Sequence, residues 1–247
     1  MGGLGLLMRR RALQAHPTIS EGGYILSPER GDQEVLRVLL ANGVSSDGYG
    51  ITKEDAAAVT SIDTWFNGNE KIVNFDELKY FIKVTELGLN AFANCTNLVS
   101  IDLRNVRSML GNVFQNCASL AIDVAMPFLQ AVANNNQFSG SGIVGVSDLG
   151  QVSNLSNYMF SNCKSLKYAD IPATITQIST NVFNGCSSLK YLIFRSETVP
   201  TLFSQNALAN SNNCPIYVPD QLVDTYKSTS PWSVHAARIR PLSEYQG

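Results

Sequence analysis

The chain has 247 residues, 45% of them apolar, enough for a buried core in one elongated domain or two small ones, so disorder is not its default state. A formal net charge of −2 gives no electrostatic case for nucleic acid or an anionic membrane as the main partner. No apolar run nears the roughly 18 residues of a membrane-spanning helix, and no membrane insertion is expected.

Residues 1–23 are glycine-bearing and weakly patterned, with Arg9, Arg10 and Arg11 in a row. Their apolar part precedes the basic one, the reverse of a secretory signal, so no export signal is expected. They read as a flexible arm, either a plain disordered tail or an anchor that docks the chain into a larger assembly. Three arginines without interleaved aromatics make a weak nucleic-acid signal, and no nucleic acid is expected.

Residues 24–80 read as an N-terminal cap region with short helices. In DQEVLRVLLAN, residues 32–42, Val35, Leu36, Val38, Leu39 and Leu40 fall largely on one helical side, and Gly43 follows as a stop. Thr52 with Asp55 three residues on starts a second short helix over KEDAAAV, although Glu or Gln is the usual partner in such a box.

Residues 81–214 carry a repeat. The stretch AFANCTNLVSIDL returns as VFQNCASLAIDV, MFSNCKSLKYADI and VFNGCSSLKYLIF. The cysteines Cys95, Cys117, Cys163, Cys186 and Cys214 are separated by 22, 46, 23 and 28 residues, one gap being double another. They include no C-x-x-C pair, and His16 and His235 are the only histidines. Such spacing is a period, not a set of bridges or zinc ligands; no metal and no cofactor are expected. A period of roughly 20–29 residues with L-x-x-I-x-L points to leucine-rich repeats, whose coils stack in parallel and bury their apolar faces on one another. Stacking places like residues about one strand spacing apart, roughly 4.8 Å. Phe92, Phe114, Phe160 and Phe183 then form one apolar spine and Leu98, Leu120, Leu166 and Leu189 another. The cysteines fill as small apolar groups, and Asn94, Asn116 and Asn162 suit a turn with an amide bonded to nearby backbone.

Two copies are irregular. The one at Phe114 reads as a residue short, with Leu120, Ile122 and Val124 serving as Leu98, Ile101 and Leu103 do, which predicts a bulge or shifted strand. The double gap needs a hidden rung, and Phe138, Ile143 and Val146 supply it, with glycine in place of the cysteine. A worn last rung ends at Cys214 before a strand over residues 216–218.

Residues 215–247 read as a small C-terminal cap. Pro219 and Asp220 open a helix with Leu222, Val223 and Tyr226 apolar, and Trp232, Ile239 and Leu242 close the core. The expected fold is an α/β solenoid, a leucine-rich repeat with short strands on one face and a cap at each end.

The unit F-x-N-C-x-x-L-x-x-I-x-L, together with IYVPDQLVDTYKSTSPWSVHAARIRPL after the last rung, resembles the BspA-like leucine-rich repeats of Bacteroidales bacteria and their phages, over roughly residues 81–242. Residues 65–92, WFNGNEKIVNFDELKYFIKVTELGLNAF, resemble the lead-in of such proteins. The resemblance implies a non-catalytic surface for adhesion or recognition, with a protein or glycan as partner.

Alternate strand residues face outward, and these are Asp102, Asp123, Asp170, Tyr168 and Tyr191, the last two on adjacent rungs with Lys167 and Lys190 beside them. Stacked tyrosines near Asp170 could grip a sugar ring or peptide; the plainer reading is a cross-strand contact that stabilises the sheet. A calcium row from Asp102, Asp123 and Asp170 is disfavoured, since the irregular copies break the column. No triad, P-loop or dinucleotide motif occurs, so no enzyme is expected. Three settings fit: a phage virion component such as a tail or fibre-associated protein, a bacterial cell-surface adhesin, and an intracellular interaction scaffold.

Overall fold

The computed structural model describes residues 23–246. Arg9, Arg10, Arg11 and His16 lie outside the described residues. The chain then opens on an antiparallel pair, Tyr24–Leu26 with Ile51–Thr52. Helix Gln33–Ala41 starts at Asp32, whose Oδ1 accepts from the backbone N–H groups of Glu34 and Val35 at 2.9 and 3.1 Å. Its Oδ2 accepts from Val73 and Asn74 at 2.7 and 2.9 Å, tying the helix start to the first coil. Val35, Leu36, Val38 and Leu39 are buried on the expected side. In helix Lys53–Ala58 the Thr52–Asp55 box closes both ways, so aspartate suffices there.

Behind this cap the chain winds into stacked coils, an α/β solenoid of the leucine-rich repeat type. The stack begins ahead of residue 81: Phe66 lies on Phe92, and Asn74–Phe75 pairs in parallel with Ser100–Ile101. Six rings, Phe66, Phe92, Phe114, Phe138, Phe160 and Phe183, form one column with centroids 5.2–5.7 Å apart and planes within 9–18°. All six are fully buried, each contributing about 1.5–3 kcal/mol by leaving water. Leu98, Leu120, Leu166 and Leu189 form the second buried column.

The cysteines do more than fill space. Cys95, Cys117, Cys163 and Cys186 each donate Sγ–H to the carbonyl of the phenylalanine one coil back, Phe66, Phe92, Phe138 and Phe160, at 3.0–3.1 Å. Each of these carbonyls also accepts a backbone N–H within its own turn at 2.9–3.2 Å, so the thiol is its second donor and ties one coil to the next. In the hidden rung this position belongs to Ser141, which is buried and lies 3.6 Å from the Cys163 sulfur. The glycine expected there, Gly140, instead occupies the asparagine position one residue earlier.

That asparagine position is left-handed backbone: φ is between 57° and 78° at Asn94, Asn116, Gly140, Asn162 and Gly185. Asparagine and glycine enter αL at least cost. The amides bond each other, Asn116 Nδ2 to Asn94 Oδ1 at 2.9 Å, where the sequence predicts a bond to nearby backbone. A second left-handed column runs Asn90, Asn112, Asn136, Tyr158, Asn181, with amide bonds of 3.0 and 3.1 Å joining its first three members. Tyr158, at φ 58° and 42% exposed, is the odd member. Tyr158→Asn is therefore expected to stabilise the fold by about 1 kcal/mol by relieving the left-handed strain. Thermal melting checks it; an unchanged or lower midpoint refutes it.

Each coil contributes strands to two sides. The main ladder is a parallel six-stranded sheet of Asp123–Ala125, Gly145–Asp148, Tyr168–Ile171, Tyr191–Phe194, Ile216–Val218 and Ile239–Pro241. Two strands therefore continue the sheet beyond residue 214. A second set of two-residue strands, unmarked in the sequence, lies elsewhere on the coil: Glu86–Leu87, Ser108–Met109 and Ala131–Val132, then Asn154–Leu155, Gln177–Ile178 and Thr201–Leu202. Each presents one buried or half-buried apolar residue, too short a run to betray alternation.

The copy at Phe114 is longer than its neighbour, not shorter. In register with Val146, Ala169, Leu192 and Ile216 stands Val124, so Val124 takes the place of Ile101 and Met126 that of Leu103. One more residue separates Leu120 from Val124 than separates Leu98 from Ile101, and Ile122 is left half-buried beside the column. The surplus residue ends the ladder: Ala121 N–H still reaches Val99 O at 3.0 Å, but among the described residues Asp123–Ala125 pairs with no strand on its Ser100–Ile101 side.

The far end is closed by helix Val223–Ser228 and the 3-10 segment Trp232–Arg238. Tyr226, Trp232 and Ile239 are fully buried, while Leu242 is half-buried. Arg238 reaches back to the worn rung, donating to Cys214 O at 2.8 Å and Ser211 Oγ at 3.0 Å.

Candidate functional site

On strand Tyr168–Ile171 the side chains of Ala169 and Ile171 are buried, and those of Tyr168 and Asp170 point outward. Tyr168 is in register with Tyr191, and their rings stack at 5.6 Å and 14°. Below, Gly145 leaves room for Tyr168 to lie across it: a Cβ there would stand 2.6 Å from the ring. So placed, the Tyr168 hydroxyl donates to Asp123 Oδ2 at 2.9 Å. Above, Tyr191 meets Tyr245 at 5.0 Å, and Tyr245 meets Tyr217 at 5.2 Å. Burial, then the bond to Asp123, raises the Tyr168 pKa; burial, then the bond to Tyr245, raises that of Tyr191.

The geometry alters what this strip offers. The faces of Tyr168 and Tyr191 are turned to each other, to Gly145 and to Tyr245, so a sugar ring has no open face to stack on. Ring edges and hydroxyls remain. Tyr217 and Tyr245 escape the sequence reading. Tyr217 has a signal, its alternate place in strand Ile216–Val218, whereas Tyr245 arrives from outside the repeat.

The three aspartates have separate partners. Arg195 clasps Asp170 with Nε and Nη2, both at 2.6 Å. Arg104 holds Asp102 at 2.8–2.9 Å, and Asp123 takes Tyr168. Among the described residues no group of three or more His, Cys, Asp or Glu side chains is placed to hold a metal ion. Lys167 and Lys190 are exposed at the strand starts beside the tyrosines.

Asp102 and Asp123 both line one cleft. Where the ladder stops, a cavity of about 520 Å³ opens between the two strand ends. Its walls include Ile101, Ile122 and Pro127, and Asp76, Asp102 and Asp123 stand around it with Arg104. Its lining is divided evenly between polar or charged residues and apolar ones. Nothing periodic marks this place in the sequence, because it arises where the period slips.

The thiols are no part of a reactive site. All five are unbridged and buried, and burial pushes Cys95 and Cys163 up to about 12 and raises Cys117, Cys186 and Cys214. A raised pKa removes thiolate, the reactive form, at any ordinary pH. Iodoacetamide at pH about 8.5 is therefore expected to leave the folded chain unlabelled and to modify every cysteine after guanidinium unfolding. Rapid labelling of the folded protein, read by mass, refutes this.

The model of the BspA type leucine rich repeat region matches residues 59–143 and 132–229, in six copies. Among solved structures, the chain is similar to a leucine-rich repeat protein from Bacteroides ovatus, at 22% identity and TM-score 0.44, over 67% of this chain and 44% of that one. It is similar to the T. pallidum leucine rich repeat protein at 22% identity and TM-score 0.47, over 64% of this chain and 72% of the other. A leucine rich cell surface protein from Faecalibacterium prausnitzii matches at 22% identity and TM-score 0.44, over 77% and 55%. The match thus spans under half the length of the Bacteroides ovatus chain. No curated protein matches.

Proposed function

Because the chain belongs to the BspA-type leucine-rich repeat family, we propose that it is a non-enzymatic recognition protein that presents the outer face of its main ladder to a protein or glycan partner. The observation that carries this reading is the state of the outward side chains. Tyr168 bonds Asp123, Asp170 bonds Arg195 and Tyr191 packs on Tyr245, so the face is a fixed relief of edges and charges with no group held in readiness for a reaction. A surface ordered before binding loses little side-chain entropy when a partner docks.

The setting we infer is a phage virion, as a tail or fibre-associated component, supported by the likeness of residues 65–92 to the lead-in of phage-carried repeats. Tail or capsid genes beside this one are the expected finding; a neighbourhood of surface-export genes moves the protein to the bacterial envelope.

Binding is tested on arrays of bacterial surface glycans and surface proteins with the full chain as probe. Saturable binding is expected, weakened about tenfold in Tyr168→Ala/Tyr191→Ala, as for loss of a central aromatic anchor. Melting of the variant should fall only slightly, since a cross-strand pair contributes about 0.2–1 kcal/mol. An empty array overturns the recognition role, and binding indifferent to the double variant removes the tyrosine strip from it.

A further inference from the structure

At the far end of the stack the 3-10 segment Trp232–Arg238 places Trp232, His235 and Arg238 three residues apart, and in such a segment side chains at that spacing lie on one side. That side faces the last rung. Trp232 Nε1–H donates to Pro200 O at 2.8 Å, and Arg238 donates to Cys214 O and Ser211 Oγ at 2.8 and 3.0 Å. His235, between them in the chain, has its Nε2 buried without a hydrogen-bond partner. We infer that the segment is an acid-sensitive latch with His235 as its sensor: a neutral imidazole lets it close on the stack and a protonated one loosens it, whatever the ladder face binds.

The cause is a charge without an acceptor. Protonation leaves an N–H on a buried nitrogen that meets no oxygen, and the Arg238 guanidinium adds repulsion. Arg238 cannot turn away, since its bonds to Cys214, Ser211 and Leu208 fix it, and it carries its charge at any ordinary pH. Burial, then Arg238, lowers the His235 pKa below the usual 6.5; the Gln205 carbonyl, which favours the charged form, is the weaker influence. The elements around it bring no counter-charge. Helix Val223–Ser228, packed on the segment, carries Asp224 and Lys227, the turn before strand Thr201–Leu202 carries Glu197, strand Ile239–Pro241 carries Arg240, and Gln205–Leu208 carries none; none of these charges shifts the imidazole. Burial raises the pKa of Tyr226 and Cys214, so both stay neutral. Above pH about 6.5 the ring is neutral in the closed and the open cap alike, and closure is at full strength. As pH falls through about 6.5 the open form takes the proton first, so closure weakens until the closed form titrates as well. Asp220, whose Oδ1 accepts Ser243 N–H at 3.0 Å and ties down the chain beyond, has its pKa lowered from 3.8 by that bond and stays charged across this window.

The test uses the full chain between pH about 7.5 and about 5. NMR titration of its two histidine rings, told apart with His16→Gln, is expected to give His235 a midpoint below 6.5. Hydrogen exchange, expressed as protection factors so that the intrinsic pH dependence drops out, should show strands Ile216–Val218 and Ile239–Pro241 losing protection about fivefold or more on acidification, while the coils around Phe92 and Phe114 keep theirs. In His235→Gln, which keeps a polar side chain and cannot take the proton, that loss should shrink to within about twofold. A His235 midpoint at or above 6.5 overturns the sensor, and this reading needs no variant at His235 to fold. Cap protection in the parent that ignores pH overturns the latch. So does an equal loss in His235→Gln, which assigns the acid response to another group, and so does a loss spread evenly along the chain, which makes the response global.

Discussion

Phe114→Ala is expected to destabilise the protein by about 3–5 kcal/mol, the range for emptying a fully buried ring site. The ring has no exposed surface and lies between Phe92 at 5.4 Å and Phe138 at 5.2 Å. Its neighbours are fixed from both sides: their carbonyls take thiols from the next coils, and the coil turns are joined by backbone bonds such as Phe114 N–H to Gln137 O at 2.7 Å. The gap therefore cannot close by collapse, which places the cost toward the upper end. A stacked-coil protein adds a second consequence, because each coil touches only its neighbours and cohesion passes through every interface in turn. A lesion in the middle should uncouple the two halves. Urea unfolding is expected to show a lower midpoint and a shallower transition, and hydrogen exchange should separate residues before Phe114 from those after it. A cost below about 1 kcal/mol would mean that the phenylalanine column is incidental to cohesion.

What can be read from the sequence follows the period, and what cannot follows departures from it. Phenylalanine, leucine and cysteine recur at fixed offsets, so their columns are visible, and Tyr168 and Tyr191 fall together because they hold the same offset in adjacent units. Ile122 shows the limit. As an apolar residue near the right offset it looks like the column residue, yet register is decided by the backbone ladder, which gives that place to Val124 two residues on and leaves Ile122 half-buried beside it. The structure puts Val124 inward and the slip opens the cleft. Ser141 is hidden behind its neighbouring glycine as long as the thiol counts only as an apolar filler, whereas the position carries a polar hydrogen at the other coils and, here, a hydroxyl 3.6 Å from the Cys163 sulfur, which glycine cannot supply. The asparagines are recognisable as turn formers; that two whole columns require left-handed backbone becomes visible only from φ. Tyr245 and Arg195, which complete the outer face, sit off the repeated offsets, and no count of spacings reaches them.

Trp232→Ala should produce a loss of similar size with a different distribution. Trp232 is fully buried at the end of the stack, edge-on to Phe194 at 5.3 Å and to Tyr226 at 4.9 Å, and its Nε1–H donates to Pro200 O at 2.8 Å. Truncation removes the ring and strands a buried carbonyl, which together cost about 3–5 kcal/mol. Here the lesion lies at a terminus, so the stack is expected to fray from that end. Amide protection should be lost first at Ile239–Pro241 and Ile216–Val218 and then at Tyr191–Phe194, while the coils around Phe92 and Phe114 keep theirs. Fraying bares the edge of the six-stranded ladder, and concentration-dependent association on mild heating is the expected companion. Trp232→Phe, which keeps most of the ring and gives up the hydrogen bond, should cost about 1–2 kcal/mol. Uniform loss of protection along the chain in Trp232→Ala would show that the coils melt as one unit, and would remove the nearest-neighbour picture on which the Phe114 prediction also stands.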